Sequence, residues 1–180
     1  MNSQHNVGVT TATCLVDLEN LCGGSERVGL RSAKVHKWVT QVTQTMGPFN
    51  SIRVIAATGV NALDLNPEIR WHWHDAEFLF GHGIDGADRK LLDVLRTDKR
   101  VRACDDILIW SGDGCFARPV KQLHEFGCRV TALSWVGCMS KELREEADRC
   151  FRFQVPRRCG IEPRTLNAKR SREDQAYVAV

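Results

Sequence analysis

Thr11-Ala-Thr-Cys-Leu-Val-Asp-Leu-Glu-Asn20 is the stretch on which the reading of this chain turns. From Thr11 to Leu18 it is rich in β-forming residues, and Cys22-Gly-Gly-Ser25 closes it. Its apolar residues are continuous and do not alternate with polar ones. That pattern marks a strand covered on both faces, as in a parallel sheet with helices above and below. An acid, Asp17, stands at the end of the strand.

Working outward, strand and helix keep alternating. Ser32 is placed to cap a helix in which Val35, Val39 and Val42 recur near helical spacing, stopped by Gly47-Pro48. Ile52 to Ala57 reads as a second strand, Pro67 opens a short helix holding Ile69 and Trp71, and Glu77 to Phe80 is a weaker third strand. Asp88, Leu91, Leu92 and Leu95 fall at i, i+3, i+4 and i+7, one face of a helix. Ile107 to Trp110 is a strand. Phe116, Val120 and Leu123 mark the helix after it, with Pro119 tolerable in its first turn and Gly127 as a stop. Cys128 to Trp135 is a strand, Ser140 caps a helix through Ala147, and Cys150 to Phe153 forms a last edge strand. The expected architecture is a three-layer α/β/α domain with a mainly parallel sheet over residues 11–155. Residues 1–10 are an N-terminal extension. From Pro156 the periodicity is lost, and residues 156–180 read as a mobile tail.

Composition narrows the class. The chain has 180 residues, 43% hydrophobic and 26% charged, which suits one ordinary globular domain. No apolar run approaches the ~20 residues of a membrane span, and the N-terminus lacks the pattern of a signal peptide. A cytoplasmic protein is expected. None of the eight cysteines forms a Cys-x-x-Cys pair, so buried reduced thiols are expected before zinc or disulfides. The net charge of +3 resides in residues 156–180, which hold six basic residues against three acids. Arg157, Arg158, Lys169, Arg170 and Arg172 could meet a polyanion there or only aid solubility.

The acids carry the chemistry. Asp17, Asp88 and Asp113 stand at three separate strand-to-helix junctions. An open parallel sheet gathers such junctions on one edge. Two like charges about 4 Å apart repel by roughly 4 kcal/mol at an effective dielectric near 20. Three carboxylates in one crevice need a cation, and oxygen ligands select a hard one such as Mg²⁺ or Mn²⁺. Asp17 could instead brace the Gly-Gly loop that follows. Asn20 could bond a phosphate or a water, or serve as a turn residue, while Glu19 is expected in solvent. Asp85 and Asp88 have capping-box spacing, with Asp85 the better N-cap and Asp88 the better ligand. In Ser111-Gly-Asp-Gly114 the glycines let backbone approach a ligand, and Ser111 can donate to a phosphate or orient Asp113. His72-Trp-His74 fits helix packing better than a metal site, and Gly23-Gly24 is not a P-loop.

Val16-Asp-Leu-Glu-Asn20, Gly86-Ala-Asp88 followed by Leu91 and Leu92, and Ser111-Gly-Asp-Gly-Cys-Phe116 together resemble the NYN domain, a branch of the PIN-like nuclease superfamily. Ser140-Lys-Glu-Leu143 and Ala147-Asp148 look like that family's closing segment, and the resemblance spans roughly residues 12–153. It implies a Rossmann-like PIN fold and an acidic pocket that binds Mg²⁺ or Mn²⁺ and cleaves RNA. Asp17, Asp88 and Asp113 then become the catalytic, metal-binding set, with Asn20, Ser111 and Ser140 toward substrate. Many NYN domains carry a further acid where this chain has Cys115. Three carboxylates suit one hydrated cation better than two. RNA is the expected partner, no membrane is expected, and a homodimer is left open. The competing readings are a catalytically weak RNA-binding or regulatory module and, further off, a phosphatase-like hydrolase.

Overall fold

The computed structural model describes residues 10–59 and 67–154. Among the described residues, six strands form one sheet: β1 (Thr11–Asp17), β2 (Ser51–Gly59), β3 (Glu77–Gly81), β4 (Asp106–Trp110), β5 (Arg129–Trp135) and β6 (Arg149–Phe153). Their order is β3-β2-β1-β4-β5-β6, and every neighbouring pair is parallel. The chain builds outward from β1 in one direction, then returns and builds from β4 in the other. The order therefore reverses between β1 and β4, and a crevice opens beyond their C-terminal ends.

The helices of the described residues that cover the sheet are α1 (Leu18–Cys22), α2 (Val28–Thr45), α3 (Pro67–His72), α4 (Gly86–Thr97), α5 (Lys99–Arg102), α6 (Ala117–His124) and α7 (Lys141–Glu146). Successive strand residues face opposite ways. Cys14 and Val16 join the apolar layer under α1, α2 and α3, with Val35, Val39, Ile69 and Trp73. Leu15 joins the layer under α4, α6 and α7, with Leu91, Leu95, Val120 and Leu143. By the same period, Asp17 falls on the α4 side. On the other face Trp38 of α2 stacks on Trp135 at 4.4 Å between centroids and meets Trp110 and Phe153 edge-on. Trp135 also donates its indole N–H to the Leu21 carbonyl at 2.9 Å, fixing α1 to β5.

All six expected strands are present within a residue or two of their sequence limits. Two local expectations are corrected. Ser32 is not a cap: α2 starts four residues earlier, and Ser32 is buried within it. Asp85 precedes α4 but makes no side-chain cap bond, because its backbone is left-handed at φ 54°. In the Trp-rich segment Trp73 is the packing residue, whereas Trp71 is exposed. The helix α1 went unseen in the sequence because five residues are too few to show a period. The tail expected over 156–180 and residues 1–9 lie outside the described residues. Among the described residues, no helix is long and apolar enough to cross a membrane.

Candidate functional site

Asp17 ends β1 and is only 2% exposed. Its carboxylate accepts the Asn20 N–H at 3.1 Å, capping α1, and the Ser111 hydroxyl at 3.0 Å. The switch point places Val16 of β1 in register with Trp110 of β4, so the residues after both strands meet. Capping and crevice placement thus coexist in one side chain.

Asp88 arrives from a different layer. It lies in the first turn of α4, and that turn is pressed onto the end of β3. A Cβ on Gly81 would fall 1.9 Å from the Gly86 carbonyl carbon, and one on Gly86 would fall 2.6 Å from that of Gly81. Only paired glycines let helix and strand backbones cross so closely. This crossing sets the height at which Asp88 enters the crevice.

Asp113 follows β4. Its carboxylate accepts the Asn20 side-chain N–H at 3.1 Å, and its backbone N–H donates to Ser111 Oγ at 3.2 Å. The Gly112 N–H donates to Asn20 Oδ1 at 3.3 Å. Ser111 is buried and spends its hydroxyl on Asp17 and Asp113, which is the orienting role open to it in the sequence. Asn20 is a strut between α1 and the end of β4, and among the described residues one of its amide N–H groups has no partner. The glycine beside Asp113 serves the fold: a Cβ on Gly112 would strike the Cys138 carbonyl oxygen at 2.0 Å. Ser140 donates its N–H to the Gly112 carbonyl at 2.7 Å, and its hydroxyl caps α7 by accepting the Leu143 N–H. It borders the crevice through Gly114, whose added Cβ would lie 3.2 Å from Ser140 Oγ.

Asp17, Asp88 and Asp113 each offer an oxygen within 4.8 Å of the others. Among the described residues, neither Asp17 nor Asp88 forms an ion pair with Lys or Arg. Burial lifts Asp17 well above the usual carboxylate range, and the charges of Asp88 and Asp113 lift it further. Asp88 is raised to about 6, by burial and then by Asp113, with a hydrogen bond to Asp17 offsetting part of the rise. The three donors are hard oxygens at a spacing that a small divalent cation can bridge, directly or through its own waters. Cys115 is exposed, and partial shielding of its sulfur, then the charges of Asp88 and Asp113, push its thiol up to about 12. A thiol held protonated there adds no ligand.

One residue at the site departs from its expected place. Glu19, expected in solvent, accepts the Gly59 N–H at 2.6 Å and ties α1 to the end of β2. A Cβ on Gly59 would lie 2.5 Å from the same oxygen. Two residues on from Asp17, it had no local signal beyond its acid side chain. The paired histidines stay apart from this site: His74 bonds the Trp71 carbonyl, while Trp73 packs between α3 and α2, donating to the Ser32 carbonyl.

Fold and site together define a doubly wound α/β domain with an acidic crevice at its switch point. The NYN domain family model matches residues 13–154, and the chain belongs to that family, within the PIN-like nuclease superfamily. It is similar in fold to a Vibrio parahaemolyticus protein of unknown function, at 18% identity and a TM-score of 0.57 over 83% of this chain and 94% of that one. A looser likeness, at 15% identity and a TM-score of 0.47, links 79% of the chain to 75% of the YcaC gene product of Escherichia coli, described as an octameric hydrolase of unknown specificity. No curated protein sequence matches the chain.

Proposed function

We propose that this NYN domain is a metal-dependent ribonuclease. The observation that carries the reading is the approach of three carboxylates, from β1, α4 and β4, to within 4.8 Å at the switch point. Such crowding is unfavourable alone and becomes favourable around Mg²⁺ or Mn²⁺. When bound there, the cation supplies a Lewis acid that lowers the pKa of an attacking water and offsets charge on the phosphodiester. Asp17, Asp88 and Asp113 would hold it. Ser111 and the Asn20 backbone fix the Asp17 oxygens, and the Asn20 side chain fixes Asp113, so the ligand set is organised before substrate arrives. The spare N–H of Asn20 and the Ser140 hydroxyl are left to contact the phosphate.

Cys115 supports a second reading, a binding-only module, because it leaves the carboxylate set at three. Purified protein incubated with single-stranded and structured RNA, with Mn²⁺ or with chelator, separates the two. For the nuclease, Asp113→Asn removes Mn²⁺-dependent cleavage while RNA binding persists or tightens slightly, since an anion has left a phosphate-facing site. Binding without cleavage by the natural chain, with cleavage gained by Cys115→Asp, establishes the binding-only module instead.

A further inference from the structure

The opposite end of the helices that frame the crevice carries a second concavity. Asp88 opens α4, and Leu95 lies seven residues further along it, about 10 Å away at 1.5 Å per residue. There the C-terminal ends of α4 and α6 and the short α5 enclose a pocket of about 240 Å³. Leu95, Pro119 and Leu123 give it an apolar lining. Arg96 and Arg102 line it as well, within the basic run Arg96-Thr-Asp-Lys-Arg-Val-Arg102.

Three details point to a ligand. Arg102 lies over the ring of Phe126, 5.2 Å from the centroid, yet the residue stays half exposed, which leaves aromatic surface available for stacking. The Arg102 Nε–H is shut off from solvent with no acceptor among the described residues, although a neighbouring nitrogen donates to the Arg96 carbonyl at 2.7 Å. A buried donor left unmade is unfavourable, so the Arg102 guanidinium would gain by turning outward to an acceptor in the pocket. Arg96 is exposed, and among the described residues no carboxylate pairs with its guanidinium. Glu125 also borders the pocket and opposes an anion, but two guanidinium groups outweigh it.

Two arginines beside an open aromatic face, over an apolar floor with the Gln122 amide at its side, match a phosphate joined to a flat heteroaromatic ring. The volume lies just below the ~300 Å³ at which drug-sized pockets begin, so it suits one nucleotide. We infer that this pocket is an exosite that takes one nucleotide of a single-stranded RNA, its phosphate on Arg96 and Arg102 and its base on Phe126, remote from the crevice where that RNA is cut. The inference rests on the ribonuclease reading for its source of nucleotide, but not for its geometry.

The test uses the full chain carrying Asp113→Asn, so that RNA survives, and compares it with the same chain carrying Arg96→Gln or Phe126→Ala. Both changes sit at exposed positions, and unchanged melting temperatures verify the fold. A long single-stranded RNA should bind each pocket variant about tenfold more weakly, whereas an oligonucleotide too short to leave the crevice should bind all three alike. Adenosine monophosphate or uridine monophosphate should shift the amide resonances of residues 95–96 and 122–126, and Arg96→Gln should remove the shift. Equal binding of long RNA by all three proteins overturns the exosite and leaves the ribonuclease reading intact. A mononucleotide that binds there while long RNA gains nothing assigns the pocket to a free nucleotide and also overturns it. Long RNA held through the pocket by a natural chain that cuts no RNA supports the exosite and sinks the nuclease.

Discussion

At the scale of single residues, the site holds its charges at a cost to the fold. Asp17 is buried and repelled by two neighbours, so packing alone would be served better by a neutral group, and the proposed cation is what would offset the charge. Asp17→Asn in chelator should therefore raise the melting temperature above that of the natural chain, by relieving burial and repulsion together. Added Mn²⁺ should stabilise the natural protein and do little for the variant. A natural chain that gains nothing from Mn²⁺ would place the cluster outside metal chemistry. The three acids were legible in the sequence because each follows an apolar run or opens a helix at a junction, where packing does not explain a charge. The bonds that orient them were not. Asn20 to Asp113 spans 93 residues, and Glu19 to Gly59 spans 40, so no local pattern could announce either.

At the scale of elements, the crossing of β3 and α4 controls where Asp88 stands. Gly81-His-Gly-Ile-Asp-Gly86 reads locally as a loop rich in glycine. What the sequence withheld is that the outer two glycines meet back to back. Gly81→Ala would drive a methyl into the Gly86 backbone, an overlap no rotamer can relieve. The change should destabilise the protein by about 3 kcal/mol or more, as severe overpacking does. Partly folded material should also lose Mn²⁺-dependent cleavage as Asp88 is displaced. Urea unfolding followed by tryptophan fluorescence measures the first effect and an RNA assay the second. Gly127→Ala gives the contrast: its Cβ meets nothing within 4 Å, and only the left-handed backbone at φ 80° resists it. It should be destabilised by about 1 kcal/mol with cleavage by the folded fraction intact. Helix starts were the least legible feature for a related reason. Ser32 looks like a cap on local grounds, but Val28 is fully buried, and packing extends α2 back to it.

At the scale of the whole molecule, the parallel sheet was legible because continuous apolar strands alternated with helices, whereas the strand order was not. Nothing local distinguishes β4 beside β1 from β4 beside β3, yet that choice puts Asp113 next to Asp17. The outcome is a domain with two electrically different edges. The C-terminal edge holds carboxylates raised by burial and mutual repulsion. Near the N-terminal edge Asp98 is bonded by Arg53 and Arg100 and held well below its usual range, and Asp148, bonded by the Val130 N–H and His124, is lowered as well. These shifts act on stability in opposite senses. A carboxyl raised in the folded state penalises folding while ionised, and the penalty lifts as pH falls through its folded value toward its unfolded one. For Asp88 that window runs from about 6 down to 3.8. A lowered carboxyl stabilises above its unfolded value, and that contribution is lost as pH falls further. In chelator, stability from these groups should hold or rise from pH 7 to about 4 and then drop. Asp88→Asn should shrink the rise, with buried Asp17 keeping its share, and leave the acid drop, whereas Asp98→Asn should lower stability at pH 7 and weaken the acid drop. Saturating Mn²⁺ should reverse the upper limb, because a bound cation favours the ionised carboxylates and is released as they protonate. Melting curves from pH 3 to 8, with and without Mn²⁺, test this directly. An upper limb that Mn²⁺ leaves unmoved would mean that Asp17, Asp88 and Asp113 hold no cation.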